Sequence, residues 1–196
     1  LDGIDRADSV TLDPHKWLYQ PFEAGCVMVR DGRLLTDAFH ILPDYLQDTE
    51  VAQRAVPDDA EVNFADRGPQ LSRSWRALKV WLTVRYWGVD RLRAVIDHTI
   101  DLAEQAEERI RASDTLELLT PATLGVVCFK GPGGEADDAE RVQRLSDSGV
   151  GMISSTRVRG EYALRLCILG HRSRRADVEA VIGELEGEGE QRTANN

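Results

Sequence analysis

Residues 9–30 read SVTLDPHKWLYQPFEAGCVMVR and contain the features that decide the fold. Residues 9–12 and 25–29 are short apolar runs with several β-branched side chains, which predicts two strands. Between them lies the polar segment 13–17, where Pro14 fixes its own φ and excludes a helix. The stretch therefore predicts a strand, a turn that carries a lysine, and a second strand.

Lys16 is the residue of this turn with the most suggestive chemistry. A lysine between two apolar strands and beside Trp17 is predicted to be partly shielded from water. Shielding disfavours the ammonium form and makes the amine a better nucleophile toward an aldehyde, as a Schiff-base lysine requires. The alternative is an exposed turn lysine without a function, which is the commoner case for an arbitrary loop lysine.

The residues around Lys16 closely resemble the lysine signature of the group II pyridoxal-phosphate decarboxylases. That family includes the aromatic-L-amino-acid, glutamate, histidine and diaminobutyrate decarboxylases. Three further segments resemble parts of the family in the same order along the chain. The segment LPDYL at 42–46 resembles its mobile catalytic loop, and QLSRSWRALKVW at 70–81 resembles the opening of its next helix. The segment YALRLC at 162–167 resembles a strand of its C-terminal domain. The resemblance covers nearly the whole chain and outweighs the alternative of a functionless lysine.

The resemblance implies an α/β fold, that of the fold-type I, aspartate-aminotransferase-like enzymes that depend on pyridoxal phosphate. Residues 1–112 would form the C-terminal part of the large cofactor-binding domain, with a mobile catalytic loop at about 31–68. Residues 113–187 would form a small α+β domain, and residues 188–196 a disordered acidic and polar tail.

The residue pattern is compatible with this division. Apolar side chains recur at helical spacing over 73–112, and Gly88 is predicted to break or kink that run. From residue 114 onward the pattern predicts a small antiparallel sheet with helices on one face. The predicted strands are 116–119, 124–130, 150–154 and 162–169, and the predicted helices are 138–148 and a last one that runs from a cap at Ser173 to about 185.

The resemblance also implies roles for single residues. Lys16 would hold pyridoxal phosphate covalently, and His15 and Asp13 would lie near the cofactor phosphate. His15 could donate a hydrogen bond there, whereas Asp13 is hard to place as a direct ligand because like charges repel, and relatives often carry Asn. Ser72 would lie near the phosphate at a helix start, or would only cap that helix. Arg73 would pair with the phosphate or the substrate carboxylate, or would be a solvated residue.

Tyr45 lies on the predicted catalytic loop. A phenol on a closing loop can return a proton to the substrate carbon after carbon dioxide leaves, and can keep water and oxygen away. In the family this tyrosine favours clean decarboxylation, and relatives with Phe there drift toward oxidative deamination. Tyr45 and Lys16 are therefore the predicted catalytic residues, with an apolar anchor for a long loop as the alternative role of Tyr45.

The composition argues against several other classes of protein. The 196 residues carry a formal net charge of -10, which argues against nucleic acid as the main partner. Hydrophobic residues make up 42%, enough for a core, and no run approaches the roughly 18 apolar residues of a membrane helix. The three cysteines lack metal-ligand spacing, so we expect no metal site and reduced thiols in a cytoplasmic protein.

The family's full chain is more than twice this length, and its earlier half supplies the ring-stacking residue, the acid that pairs with the pyridine nitrogen and most of the parallel sheet. We therefore expect a truncated enzyme or, as the slightly favoured case, one half of a split enzyme. In the second case another polypeptide carries the N-terminal half, and the complete unit is a homodimer.

The expected function is decarboxylation of an L-amino acid, with an aromatic substrate favoured, and the chain alone would be inactive. One alternative is decarboxylative oxidation or transamination with the same cofactor. The other is a catalytically silent partner subunit that has kept the fold.

Overall fold

The computed structural model describes residues 2–40 and 64–187, which belong to two compact units. The first unit ends at Arg85 and the second begins at Tyr86. This division comes earlier than the predicted domain boundary near residue 112, because the long helix that follows Gly88 packs its apolar face into the second core. The assignment of 1–112 to a cofactor-binding domain stays a prediction.

The first unit contains the predicted strand–turn–strand. Strands β1 (Ser9–Leu12) and β2 (Cys26–Val29) pair antiparallel, with Ser9 opposite Val29 and Leu12 opposite Cys26. A 3-10 turn at Ile4–Arg6 precedes them. Helix α1 (Arg33–Phe39), a 3-10 turn at Phe64–Arg67 and all but the last two residues of helix α2 (Arg76–Trp87) follow.

Helix α1 corrects the prediction of a loop over 31–68. Its first turn is held by Asp31, whose Oδ1 accepts the backbone N–H of Arg33 at 3.0 Å. The Asp31 carboxylate also binds the Arg33 guanidinium, and these hydrogen bonds lower the pKa of Asp31 to about 2. A helix of 7 residues has too few turns to produce a clear apolar period, so the sequence pattern did not reveal it.

The predicted break at Gly88 is confirmed. Helix α2 ends at Trp87 and helix α3 (Val89–Arg111) begins directly afterwards. Gly88 itself has φ 77° and ψ 158°, a conformation that glycine adopts without the steric cost of a Cβ. The apolar side of α3 is buried, including Leu102, Ala103 and Ile110.

The second unit is built on a four-stranded antiparallel sheet of order β3-β4-β6-β5. Its strands are β3 (Glu117–Thr123), β4 (Val126–Lys130), β5 (Ser154–Val158) and β6 (Glu161–Cys167), and helices α4 (Glu135–Ser148) and α5 (Arg175–Glu186) join α3. Val127 and Phe129 on β4 lie opposite Leu166 and Leu164 on β6, and all four belong to one buried core. The predicted α+β module is therefore present in this part of the chain.

Two details of the second unit differ from the prediction. The predicted strand at 150–154 is displaced, since β5 begins at Ser154 opposite Arg165, and of the preceding apolar run only Ile153 enters the core. The last helix is not capped by Ser173. Its N-cap is Arg174, whose backbone N–H donates to the Asp177 carboxylate at 2.9 Å, so an acidic residue inside the first turn supplies the cap.

Glu107 connects helix α3 to strand β3 and gives a stability prediction. Its carboxylate accepts the backbone N–H of Ala122 and the Arg111 Nε–H, the latter at 2.8 Å, and its pKa is lowered mainly by the Ala122 bond. Glu107→Ala leaves that N–H without its acceptor and should lower the free energy of unfolding by about 1–3 kcal/mol at pH 7. Urea unfolding measures the loss.

The pH dependence and a neighbouring variant serve as checks. A carboxyl with a lowered folded-state pKa adds stability above its unfolded pKa and loses it as the pH falls. The difference between native chain and Glu107→Ala should therefore shrink as the pH drops below the usual carboxyl range. The exposed neighbour Glu108 is the control, and Glu108→Ala should stay within about 0.5 kcal/mol. Equal losses for both variants would contradict the role of Glu107.

Candidate functional site

The turn between β1 and β2 is fixed by its own backbone hydrogen bonds. Lys16 N–H donates to the Asp13 carbonyl at 2.9 Å, Tyr19 N–H to the Lys16 carbonyl at 3.0 Å and Gln20 N–H to the Pro14 carbonyl at 3.0 Å. Pro14 is buried at the base of the turn. These bonds bring Asp13, His15 and Lys16 together on one compact turn, as the sequence predicted.

Lys16 forms an ion pair with Asp13 at the surface of this turn. Lys16 Nζ lies 2.6 Å from Asp13 Oδ2, and the two side chains are 59% and 43% exposed. The hydrogen bond from Lys16 is the main cause that lowers the pKa of Asp13. The predicted shielding of Lys16 is therefore wrong for this chain, because more than half of the lysine side chain is open to solvent. An aldehyde can reach the amine from solvent.

His15 is anchored to the second half of the stretch. Its Nδ1 lies 2.7 Å from the Ala24 carbonyl oxygen and 3.3 Å from the Ala24 backbone nitrogen. The ring also meets the Phe22 ring edge to face, with centroids 5.1 Å apart. The shorter contact makes Nδ1 a donor, so Nε2 can donate to an anion only in the doubly protonated imidazolium form.

Side chains on helix α2 bind residues 21–23, the segment that follows the turn. The sequence pattern did not reveal these contacts. Lys79 Nζ donates to the backbone carbonyls of Pro21 and Glu23, at 2.7 and 2.6 Å. The Arg76 guanidinium pairs with the Glu23 carboxylate, with Nε 2.9 Å from Oε1. These two cations lie about one turn apart on α2, at positions 76 and 79, so both side chains reach the same segment.

Gln20 provides a second, buried connection to the same helix. It is 4% exposed, its Nε2 donates to the Leu18 carbonyl at 2.7 Å, and its Oε1 accepts from Thr83 Oγ1 at 3.3 Å. Burial raises the pKa of the neighbouring Tyr19 phenol. The turn is thus packed on its inner side and open on the side of Lys16.

An open groove of about 350 Å³ lies beside this contact region. It is lined by Phe22, Glu23, Ser74, Trp75, Arg76, Leu78, Lys79 and Leu82. Phe22 and Trp75 are 85% and 74% exposed, which is unusual for side chains of this size. Asp13, His15 and Lys16 do not line the groove, so it is not the place where the lysine would react.

Ser72 and Arg73 are the two candidate phosphate residues that precede helix α2. Helix α2 begins at Arg76, so the alternative role of Ser72 as its cap is wrong, and within 64–187 and 2–40 no hydrogen bond joins Ser72 to Asp13, His15 or Lys16. The Arg73 guanidinium lies over the Phe64 ring at 5.6 Å. The phosphate roles of both residues stay predictions. Tyr45 lies outside the described residues.

Metal-binding and membrane-spanning features are absent from the described ranges. Over 2–40 and 64–187, His, Cys, Asp and Glu side chains form no group that could hold a metal ion. None of the helices described there combines the length and apolarity of a membrane-spanning segment. The cysteines Cys26, Cys128 and Cys167 are all free.

Comparison with known proteins identifies the class. The pyridoxal-dependent decarboxylase conserved domain matches residues 1–131, and the chain belongs to this family, whose cofactor is pyridoxal phosphate. It has the fold of the fold-type I enzymes and spans part of it: a solved structure of an Oryza sativa TDC with PLP and tryptamine superposes with a TM-score of 0.80 and 28% identity, covering 96% of this chain and 40% of that one.

Individual relatives add detail. The aromatic-L-amino-acid decarboxylase of Bacillus atrophaeus is 37% identical over 194 residues, which cover 95% of this chain and 39% of the relative. Tryptophan decarboxylase 1 of Oryza sativa subsp. japonica is 32% identical over 180 residues, which cover 86% of this chain and 34% of the relative. The 3,4-dihydroxyphenylacetaldehyde synthase of Drosophila melanogaster is 30% identical over 186 residues, covering 95% and 36%. The chain therefore spans less than two fifths of the length of these curated relatives.

Proposed function

We propose that this chain supplies the cofactor-binding lysine of a decarboxylase that converts an aromatic L-amino acid to its amine. The observation that carries the proposal is the turn at 13–17, where the amine of Lys16 is accessible and its backbone is fixed. Membership of the pyridoxal-dependent decarboxylase family gives that lysine its chemistry. Relatives named as aromatic-L-amino-acid and tryptophan decarboxylases support the substrate class.

The residues of the turn fit pyridoxal phosphate. Lys16 offers an exposed primary amine that would hold the cofactor covalently, and His15 offers a ring whose orientation is already fixed by Ala24. As the imidazolium, His15 would donate from Nε2 to the phosphate. The bound cofactor would supply an electron sink for the bonding pair left behind when the α-carboxylate departs.

Asp13 would act on Lys16 and not on the phosphate. Its lowered pKa keeps the carboxylate ionised, and an anion in contact with a phosphate is repelled. The 2.6 Å hydrogen bond would instead orient the Lys16 amine toward the cofactor. Asp13 would thus contribute to cofactor binding indirectly, by its contact with Lys16.

The proposal includes a further polypeptide segment, on the same or on another chain. Sheet β1–β2 has two strands, and both Val27 and Met28 are about half exposed although they point to opposite faces. Large side chains on α2 and before it are also open to solvent: Trp75, Trp81, Leu82 and Tyr86. Such surfaces are covered in stable proteins. The N-terminal half of the domain would cover them, and two complete units would form a homodimer.

Borohydride trapping followed by denaturing mass spectrometry tests the proposal. The protein is isolated with any polypeptide that co-purifies, incubated with equimolar pyridoxal phosphate, reduced and digested. The expected result is a pyridoxyl-phosphate mass on Lys16. A separate, unreduced sample of the same preparation should convert an aromatic amino acid to its amine and carbon dioxide. A trapped adduct distributed evenly over Lys16, Lys79 and Lys130, the three lysines of the chain, would contradict it.

One relative supports a second candidate function. The matched Drosophila protein is named as an aldehyde synthase, so decarboxylative oxidation on the same scaffold is the alternative. That reaction consumes oxygen and yields an aldehyde with ammonia and hydrogen peroxide, whereas simple decarboxylation yields the amine. Analysis of the products of one substrate, with and without oxygen, separates the two.

A further inference from the structure

Lys79 makes an unusual pair of contacts for a helix lysine. Its ammonium group donates to two backbone carbonyls, those of Pro21 and Glu23, which belong to the segment directly after the Lys16 turn. Carbonyl oxygens that accept from a full positive charge form stronger hydrogen bonds than those that accept from neutral donors. A cation on α2 therefore fixes a segment that lies 56 to 58 residues earlier in the sequence.

The fixed segment is itself in contact with His15. Phe22, between the two carbonyls, packs its ring against the His15 imidazole, and Ala24, directly after them, bonds to His15 Nδ1 at 2.7 Å. Ala24 is 1% exposed, so this anchor is part of the packed interior of the first unit. The order of contacts is Lys79, then the 21–24 backbone, then His15, and Lys16 follows His15 in sequence.

We propose that Lys79 is a positioning residue for cofactor capture, which holds the 21–24 segment so that His15 and Lys16 are already arranged before the cofactor arrives. The inference rests on the proposed role of Lys16. Without the two carbonyl contacts the segment samples more conformations, and capture of the cofactor must supply the ordering that Lys79 supplies in the native chain. Arg76 assists through the Glu23 carboxylate.

The composition of the chain makes a sharp test possible, because Lys16, Lys79 and Lys130 are its only lysines. Lys130 lies on β4, where it is paired with Glu117 and Glu161, and serves as an internal reference for general reactivity. In the trapping reaction, a lysine nitrogen and the aldehyde carbon of pyridoxal phosphate form a C=N bond with loss of one water, and borohydride then adds hydride to that carbon. The measured quantity is the ratio of the Lys16 adduct to the Lys130 adduct.

Lys79→Met should lower this ratio about tenfold in the isolated full chain with any co-purified polypeptide. Lys79→Arg, which keeps a charged donor able to reach both carbonyls, should restore most of it. The matched control is Arg85→Met on the same helix, an exposed cation without a contact to the 21–24 segment, and it should leave the ratio unchanged. A ratio in Lys79→Met equal to the native ratio would overturn the inference.

A second measurement without cofactor separates this inference from the proposed function. Hydrogen exchange of peptides from 20–25 should become faster in Lys79→Met and remain native in Arg85→Met, while the urea unfolding midpoint shifts little. If the native chain itself shows no preference for Lys16, the proposed function fails, and the exchange result still decides whether Lys79 holds the segment. If Lys79→Met does not fold, Lys79→Gln, with one remaining amide donor, replaces it in both measurements.

Discussion

Lys16→Ala is expected to abolish capture of pyridoxal phosphate and, in the complete enzyme, to lower turnover by at least about a thousandfold. The reason is that Lys16 Nζ is the atom proposed to bond to the cofactor, and an alanine offers no nucleophile. The two other lysines are expected to give only background reaction, since Lys79 is engaged by two carbonyls and Lys130 by two carboxylates. Borohydride trapping and an absorbance spectrum of the mixed protein and cofactor measure the loss.

The matched variant is Lys16→Arg. Arginine keeps the positive charge and can keep the ion pair with Asp13, but its guanidinium does not condense with an aldehyde under these conditions. Both variants should therefore lose capture, while Lys16→Arg keeps the native unfolding midpoint. Because the native ion pair is largely exposed, its removal in Lys16→Ala should cost little stability as well. Capture that survives in either variant would show that another group holds the cofactor.

The local parts of this fold could be predicted from the sequence. Strands β1 and β2 and the break at Gly88 follow from short-range rules: short apolar runs with β-branched residues, a proline in the turn and a glycine between two helical runs. The placement of β5 does not follow from these rules. The apolar run before Ser154 looks more like a strand than the polar residues that actually pair with β6. In that case the register is set by the two-residue turn at Arg159 and Gly160, both with positive φ, which joins β5 to β6 in a tight hairpin.

The candidate site could likewise be predicted from the sequence only in its local parts. Lys16, His15 and Asp13 could be proposed as site residues because the order and type of residues around them resemble a family signature, and their cofactor roles stay predictions. The exposure of Lys16 could not be predicted from the sequence, since shielding depends on whatever packs above the turn and not on the neighbouring Trp17 alone. Lys79 was missed because its carbonyl partners lie far away in sequence and backbone acceptors leave no trace in side-chain identity.

Tyr45→Phe is expected to change the product and not the release of carbon dioxide. The proposed role of the Tyr45 hydroxyl is to return a proton to the substrate α-carbon once the carboxylate has left, and phenylalanine has no proton to give. Oxygen then reacts at the unprotected centre more often. With an aromatic substrate in air, the native enzyme should yield mostly amine and the variant mostly aldehyde, while carbon dioxide release falls by less than about tenfold.

Oxygen dependence makes this test specific. Conversion of the amino acid to aldehyde, carbon dioxide and ammonia consumes one oxygen molecule and one water and leaves one hydrogen peroxide. Aldehyde and peroxide from Tyr45→Phe should therefore appear in equal amounts and vanish under nitrogen. The control is Tyr86→Phe, a substitution of an exposed tyrosine at the end of α2, which should keep the native product. If Tyr45→Phe still forms only amine in air, the proton comes from another group. The loop tyrosine would then act as an apolar anchor, and the choice between amine and aldehyde would depend on residues outside this loop.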